Sequence, residues 1–107
     1  MMDAYAVRRL RHRLRKYREM IDVLRILERR EELHYGEAAS LLGLSGSYAY
    51  NLLAMMSYMY RLPFRDGIMD NPGRRRLLEI AEDLRRRINV IGRKLGKTKK
   101  RGKRGKG

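Results

Sequence analysis

The side chains that most often carry out catalysis or hold metal ions are few and scattered in this sequence. The chain contains two histidines, His12 and His34, which are far apart, and no cysteine. Ser45 and Ser47 have no histidine near them, and no glycine-rich phosphate loop, nucleophile elbow or metal-ligand spacing occurs. We therefore predict that the protein is not an enzyme. We also predict no metal ion, no cofactor, no disulfide and no small-molecule substrate.

Arginine and lysine are the abundant functional groups, and their characteristic chemistry is phosphate binding. The chain has 27 of them against 12 aspartates and glutamates, which gives a net charge of +15. The positive charge lies at the two ends, with +6 in residues 1–18, +5 in residues 74–95 and +7 in residues 96–107, whereas residues 19–73 carry −3. Such a chain favours a polyanionic partner such as DNA, RNA or an anionic membrane. A solubilising surface alone seldom needs so large a net charge.

Hydropathy and the N-terminal composition argue against a membrane protein. No apolar run approaches the roughly 20 residues that a membrane-spanning helix needs. Residues 1–18 lack the apolar segment of a secretory signal. Asp3, together with the absence of serine before position 40, argues against an organelle transit peptide. We predict a cytoplasmic protein that does not act at a membrane.

Apolar periodicity predicts a long helix at each end of the chain. From Asp3 to about Leu33 there is no glycine or proline, and this stretch reads as one helix or two nearly continuous ones. A second long helix is expected after Asn71, which is a plausible N-cap followed by Pro72 at the first helical position. Gly73 is a poor helix residue, so this helix can begin one or two residues later.

Each terminal helix carries an apolar seam with alternating steps of three and four residues. Helices with matching seams tend to pair, either within one chain or across a homodimer, and we favour a homodimer. The alternative is that each seam lies on the central domain. The seam residues that we assign to the pairing are Leu10, Leu14, Tyr17, Leu77, Leu84, Ile88 and Ile91.

The composition divides the chain into four segments. Residues 1–18 form a basic helical extension, residues 19–73 a core, and residues 74–95 a C-terminal helix. Residues 96–107, GKTKKRGKRGKG, hold no apolar side chain and are expected to be disordered in isolation.

One stretch of the core carries a recognisable motif. Residues 35–54, YGEAASLLGLSGSYAYNLLA, resemble the helix-turn-helix of DNA-binding regulators. That pattern needs a small residue where the two helices cross, a glycine in the turn and a cap for the second helix, and Ala39, Gly43 and Ser45 meet these needs. The positions that should point into the shared core are apolar: Ala38, Leu42, Leu44, Ala49 and Leu52.

A weaker resemblance extends over residues 19–90 to the winged helix domains of small archaeal transcriptional regulators and chromatin-associated proteins. In that family a β-hairpin wing follows the second helix, and RLPFRDGIMD at residues 61–70 can supply it, with Asp66 and Gly67 as the turn. Pro63 restricts the first strand to a sheet edge, so a trihelical domain without a proper wing stays open. The expected fold class is mainly α, with a short hairpin between long terminal helices.

The resemblance implies which residues contact DNA. The second helix of the motif would be the recognition helix, with its N-terminal outward residues in the major groove. The residues so implied are Ser45, Ser47, Tyr48, Tyr50 and Asn51. No arginine lies in this helix, so readout would rest on neutral polar groups and on DNA shape.

Phosphate contacts would then come from the basic segments on either side of the motif. The candidates are Arg8, Arg9, Arg11, Arg13, Arg15, Lys16, Arg18, Arg61, Arg65, Arg74, Arg75, Arg76, Lys99, Lys100 and Arg101. Tyr58 and Tyr60 are expected in the core or in a dimer interface, and the methionines of the recognition helix are expected to pack.

The leading functional prediction is a double-stranded DNA-binding protein, as a dimeric transcriptional regulator or a nucleoid or partition protein. Two alternatives stay open. The basic tail would also suit an RNA-associated protein, such as a ribosomal accessory protein. The acidic balance of residues 19–73 would suit a protein-interaction module, because negative charge near DNA costs affinity.

Overall fold

The computed structural model describes the backbone of residues 2–103 and the side chains of residues 2–96. The protein is mainly helical with a small antiparallel sheet, which confirms the predicted fold class with its short hairpin and long terminal helices. The elements in chain order are α1 (Ala4–Leu27), β1 (Glu32–His34), α2 (Tyr35–Leu42), α3 (Gly46–Tyr60), β2 (Phe64–Arg65), β3 (Ile68–Asp70) and α4 (Arg74–Lys103).

Helix α1 ends earlier than its sequence suggests. The side chain of Asp3 caps its start by accepting a hydrogen bond from the backbone N–H of Ala6 at 2.8 Å. At its other end, the Asn71 amide donates to the carbonyl oxygens of Leu27 and Arg30 at 2.8 and 2.9 Å. These bonds fix the carbonyl groups at and just after the helix end, where the N–H of Arg30 also donates to the carbonyl of Leu27, and the chain then turns into β1. The prediction that helix continues to about Leu33 was therefore wrong.

Helices α2 and α3 are joined by a short turn, as the motif predicted. Gly43 adopts the left-handed conformation at φ 68° and caps α2, with its N–H bonded to the carbonyl of Ala39. The Ser45 hydroxyl accepts from the N–H of Tyr48 at 3.1 Å and caps α3, which confirms the predicted N-cap. Ala38, which was expected to point inward, is buried between the helices.

The sheet has three strands in the order β1-β3-β2, all antiparallel. Asp66 and Gly67 have φ values of 56° and 78°, and two positive values are typical of the tight turn that suits a hairpin. Strand β1 was not predicted. It pairs Leu33 with Met69, both fully buried, and supplies the third strand that an isolated hairpin lacks.

The hydrophobic core lies between the helices and one face of the sheet, and it is built from leucine, isoleucine, valine and methionine. Met20, Leu53 and Ile80 bring α1, α3 and α4 into one cluster with the sheet. Tyr60 is buried in it as predicted, but Tyr58 is 88% exposed and is not a core residue. Met55 on the same helix is also exposed, contrary to the expectation that it packs.

Helices α1 and α4 form an antiparallel pair within one chain. The guanidinium of Arg87 lies 5.9 Å from the centre of the Tyr17 ring, and Leu24 and Leu77 belong to the same core cluster. The seam predicted for a homodimer is thus filled by the chain itself. Its members are either buried (Leu77, Leu84, Ile91) or half-buried (Leu10, Leu14, Tyr17, Ile88).

Helix α4 begins at Arg74, which is the later start that Gly73 led us to allow, but its N-cap and its end differ from the predictions. The carbonyl of Gly73 accepts the first helical hydrogen bond, from the N–H of Leu77 at 3.0 Å, so Asn71 is not the N-cap residue. The Asn71 side chain lies between two helices: its Nδ2 donates to the end of α1, and its Oδ1 accepts from the N–H of Gly73 at 2.7 Å just before α4. The helix continues to Lys103, through residues 96–103 of the predicted tail, because each added residue extends a helix already nucleated by packing. Residues 104–107 lie outside the described part of the chain.

Gly67 is expected to be far less replaceable than Gly43, although both have positive φ. A Cβ at Gly67 would lie 2.8 and 2.9 Å from Cδ1 and Cε1 of Tyr35, whereas one at Gly43 would meet nothing within 4 Å. We expect Gly43→Ala to cost about 1 kcal/mol from backbone strain. Gly67→Ala should cost about 1–3 kcal/mol more through the ring collision. Urea unfolding followed by circular dichroism measures both, and equal losses would contradict the packing of Tyr35 on the turn.

Candidate nucleic-acid interface

One face of α3 is exposed and carries no charge. Ser47, Asn51 and Tyr58 are exposed, Ala54 is half-buried, and their spacing of three and four residues places them in one line along the helix. The helix has no acidic or basic residue anywhere between Gly46 and Tyr60. The line therefore offers hydroxyl groups, one amide and a methyl group to a partner.

Tyr48 is turned away from this line. Its hydroxyl donates a hydrogen bond to Oε1 of Glu19 on α1. Burial, together with this bond, raises the pKa of Tyr48 to about 12, although the charge of Arg15 opposes the shift. The hydroxyl is thus committed to α1 and is not directed outward as predicted. Tyr48 fixes the N-terminal end of α3 to α1.

Tyr50 belongs to a cluster of rings that joins α3 to the hairpin. Its ring meets Tyr35 edge-on at 5.2 Å between centroids and lies 5.2 Å from Phe64 of β2. Tyr35 in turn stacks on His34 at 4.5 Å. Tyr50 remains 43% exposed, so it can still contact a partner, but its main role in the structure is to hold the hairpin beside α3.

The C-terminal end of α3 is fixed to α4. The Tyr60 hydroxyl donates to Oδ2 of Asp83 at 2.6 Å, and Nε of Arg87 donates to the same oxygen at 2.7 Å. These two hydrogen bonds lower the pKa of Asp83 below its ordinary value. Burial and the bond to Asp83 raise the pKa of Tyr60.

Arg76 also serves this end of α3 and is not a free phosphate ligand as predicted. Its Nη2 donates to the carbonyl oxygen of Tyr60 at 2.8 Å, and its Nη1 donates to Glu79 at 3.1 Å. A cation at the last carbonyls of a helix also interacts favourably with the helix dipole. Sequence reasoning missed this role because Tyr60 and Arg76 belong to different elements.

Helix α1 presents a basic face on the side opposite to its seam with α4. Arg8, His12 and Arg15 are exposed and recur at steps of four and three residues, and Glu19 follows four residues later on the same face. Glu19 is the residue that holds Tyr48. The basic face of α1, defined by Arg8, His12 and Arg15, therefore leads directly to the N-terminal end of α3.

The other predicted phosphate ligands lie around this arrangement. Arg9, Arg11, Arg13 and Arg18 are exposed on the flanks of α1, and Lys16 is half-buried. Arg61 caps the end of α3, Arg65 precedes the hairpin turn, and both are exposed. Arg74 and Arg75 are exposed at the start of α4, whereas the side chains of Lys99, Lys100 and Arg101 lie outside the described residues.

Several acidic residues of the core lie near one end of the sheet. Glu32 pairs with Asp70 across β1 and β3, and the hairpin turn lies at the opposite end of β3. Glu28 and Glu31 are exposed just before β1, and Glu37 is paired with Arg30. The hairpin turn is not free of negative charge, because Asp66 lies next to Arg65 in it.

The described residues form neither a metal-binding cluster nor a membrane-spanning helix. Among residues whose side chains are described, no group of three or more acidic or histidine side chains could hold a metal ion. No helix within the described residues combines the length and the apolar character that crossing a bilayer requires. Comparison with protein-family models, with curated proteins and with solved structures gives no match to this chain. Function is therefore inferred from the surface itself.

Proposed function

We propose that the protein binds double-stranded DNA, with the exposed line of α3 in the major groove and the basic face of α1 on the phosphates. The observation that carries this proposal is the bond between Tyr48 and Glu19, because it holds the N-terminal end of the uncharged helix α3 against the helix that bears the exposed Arg8 and Arg15. Arg15 is close enough to act electrostatically on Tyr48. Neutral hydrogen-bonding groups suit the reading of base edges, and cations suit the neutralisation of phosphates.

The hairpin supports the same proposal. An exposed helix following a tight turn, with a β-hairpin held at its side by Tyr50 and Phe64, matches the arrangement that the winged helix resemblance implies. Arg65 would then reach the adjacent minor groove and its flanking phosphates from the hairpin. In this proposal the protein is a transcriptional regulator or a nucleoid or partition protein, located with the nucleoid in the cytoplasm.

The proposal retains the homodimer, with two half-sites on the DNA. Because α1 and α4 pair within one chain, which the seams also allowed, we propose that two copies meet through other apolar residues. Leu78 and Val90 are the large apolar residues of α4 that stay exposed within its described part, and they are the candidates for contact between two copies.

The test is a fluorescence-anisotropy titration of the full chain with a mixed-sequence DNA duplex and with an RNA hairpin at matched salt. Ser47→Glu adds a negative charge on the exposed line, at a first-turn position where it does not harm the helix. Asn89→Glu, on the exposed surface of α4, is the matched control with the same change in net charge.

We expect Ser47→Glu to weaken duplex binding about 10-fold or more, because a carboxylate would face the phosphates and base edges, and Asn89→Glu to have a much smaller effect. Tighter binding to RNA than to duplex DNA would favour the RNA-associated alternative. Equal effects of both variants would show that α3 does not face the DNA. The exposed Met55 and Tyr58 would then favour contact with a protein partner instead.

A further inference from the structure

We infer that α3 selects A·T base pairs, so that the preferred ligand is a duplex with A·T pairs where α3 enters the major groove. This inference rests on the proposed function and deepens it. It follows from which side chains occupy the exposed line of α3 and which side chains are missing from it.

The missing groups are those that read guanine. Arginine and lysine, bonded to O6 and N7 of guanine, are the commonest specific contacts in the major groove. Helix α3 has neither, and the cations around it lie on other segments: Arg15 on α1 beside Tyr48, and Arg61 at the residue that caps the C-terminal end. A G·C pair facing the middle of α3 would find no cationic donor on this helix.

The groups that are present match adenine and thymine. Asn51 is exposed in the middle of the line, one turn from Ser47 on one side and less than one turn from Ala54 on the other. An asparagine amide can bond N6 and N7 of adenine at the same time. The methyl group of Ala54 and the exposed side chain of Met55 present apolar surface suited to the thymine methyl group.

The hairpin adds a second reason for the same preference. Arg65 is exposed immediately before the turn formed by Asp66 and Gly67. An arginine that enters a minor groove is attracted most strongly where the groove is narrow, and A·T tracts have the narrowest minor groove. Both exposed elements of the proposed interface therefore favour the same base composition.

The first experiment compares the affinity of the full chain for two duplexes of equal length and identical flanks, with either A·T or G·C pairs throughout the segment between the flanks. We expect the A·T duplex to bind about 10-fold more tightly. Asn51→Ala should reduce this ratio to less than about 3-fold, because the adenine contact is lost. Asn89→Ala removes an exposed asparagine from α4 and should leave the ratio unchanged.

The second experiment assigns the groove. Replacing adenine with 7-deazaadenine removes the N7 acceptor without altering the minor groove, and replacing thymine with uracil removes the methyl group. We expect the deaza substitution to weaken binding of the wild-type chain and to have little further effect on Asn51→Ala. Replacement of thymine with uracil should weaken duplex binding by both the wild type and Asn51→Ala, because the contact with the thymine methyl group comes from Ala54 and Met55.

The outcomes separate this inference from the proposed function. If both duplexes bind equally, while Ser47→Glu still weakens both, then α3 faces DNA but does not select A·T pairs, and only the inference fails. An A·T preference that is as large in Asn51→Ala as in the wild type would also overturn it. If Ser47→Glu has no effect on either duplex beyond that of Asn89→Glu, the proposed function itself is wrong.

Discussion

Replacing Arg8 and Arg15 together with alanine is expected to weaken binding to any DNA duplex about 10-fold to 100-fold at moderate salt. Both residues are exposed on the basic face of α1, which leads to the Glu19 contact with Tyr48. Each neutralised phosphate releases condensed counterions, so the slope of log affinity against log salt should decrease by about 2. The loss should be similar for A·T and G·C duplexes, because phosphate contacts carry no direct sequence information.

The matched control is the replacement of Arg9 and Arg13 with alanine. This variant removes the same charge from the same helix, but these two exposed residues project from a flank of α1, and Arg9 lies 5.7 Å over the ring of Tyr5. We expect a smaller loss of affinity and a smaller change in the salt slope. Equal losses in the two double variants would contradict the assignment of one basic face, since only net charge would then matter. Circular dichroism of both variants verifies that α1 stays helical.

Asp83→Ala is expected to destabilise the fold by about 2 kcal/mol, which is large for a residue outside the hydrophobic core. The carboxylate accepts hydrogen bonds from Tyr60 and from Arg87, and Tyr60 is buried. Without the carboxylate, the Tyr60 hydroxyl is left in the interior without its acceptor. Glu82→Ala is the control, because Glu82 is exposed at the neighbouring position of α4 and its removal should change stability by less than about 0.5 kcal/mol. Urea unfolding measures the free energy of unfolding of both variants.

The contribution of Asp83 to the free energy of unfolding should also depend on pH. Its pKa is lower in the folded protein than the value of about 3.9 that an unfolded aspartate has. The stabilisation is therefore complete above about pH 4 and is lost as the pH falls through the lower, folded pKa. The difference in unfolding free energy between the wild type and Asp83→Asn should shrink below about pH 4. A difference that stays constant into the acid range would mean that the carboxylate charge contributes nothing.

The sequence predicts the parts of this protein whose causes are local. The turn at Gly43, the N-cap at Ser45 and the hairpin turn at Asp66 and Gly67 each depend on the conformational preference of a few adjacent residues, and the structure confirms all three. The apolar seams of the terminal helices are also local patterns. A seam does not specify its partner, however, which is why the pairing of α1 with α4 within one chain had to be observed.

What the sequence could not predict depends on contacts between distant residues. The end of α1 is set by Asn71, which lies far away in the chain, and β1 exists only because β3 is present to pair with it. The observed roles of Tyr48 and Arg76 differ from the predicted DNA contacts for the same reason. Their hydrogen-bond partners, Glu19 and Tyr60, lie on other helices. A residue type shows what a side chain can bond, but the fold determines which partner it meets.

Helix α3 is attached at both ends, by Tyr48 to Glu19 of α1 and by Tyr60 to Asp83 of α4. A helix held in this way is preorganised: its rotation about its own axis and its distance from the arginines of α1 are already fixed in the free protein. Binding then requires little additional ordering of the backbone, so less of the interaction energy is lost as conformational entropy. We therefore expect the free and bound forms of the described domain to be nearly the same, as in rigid-body association.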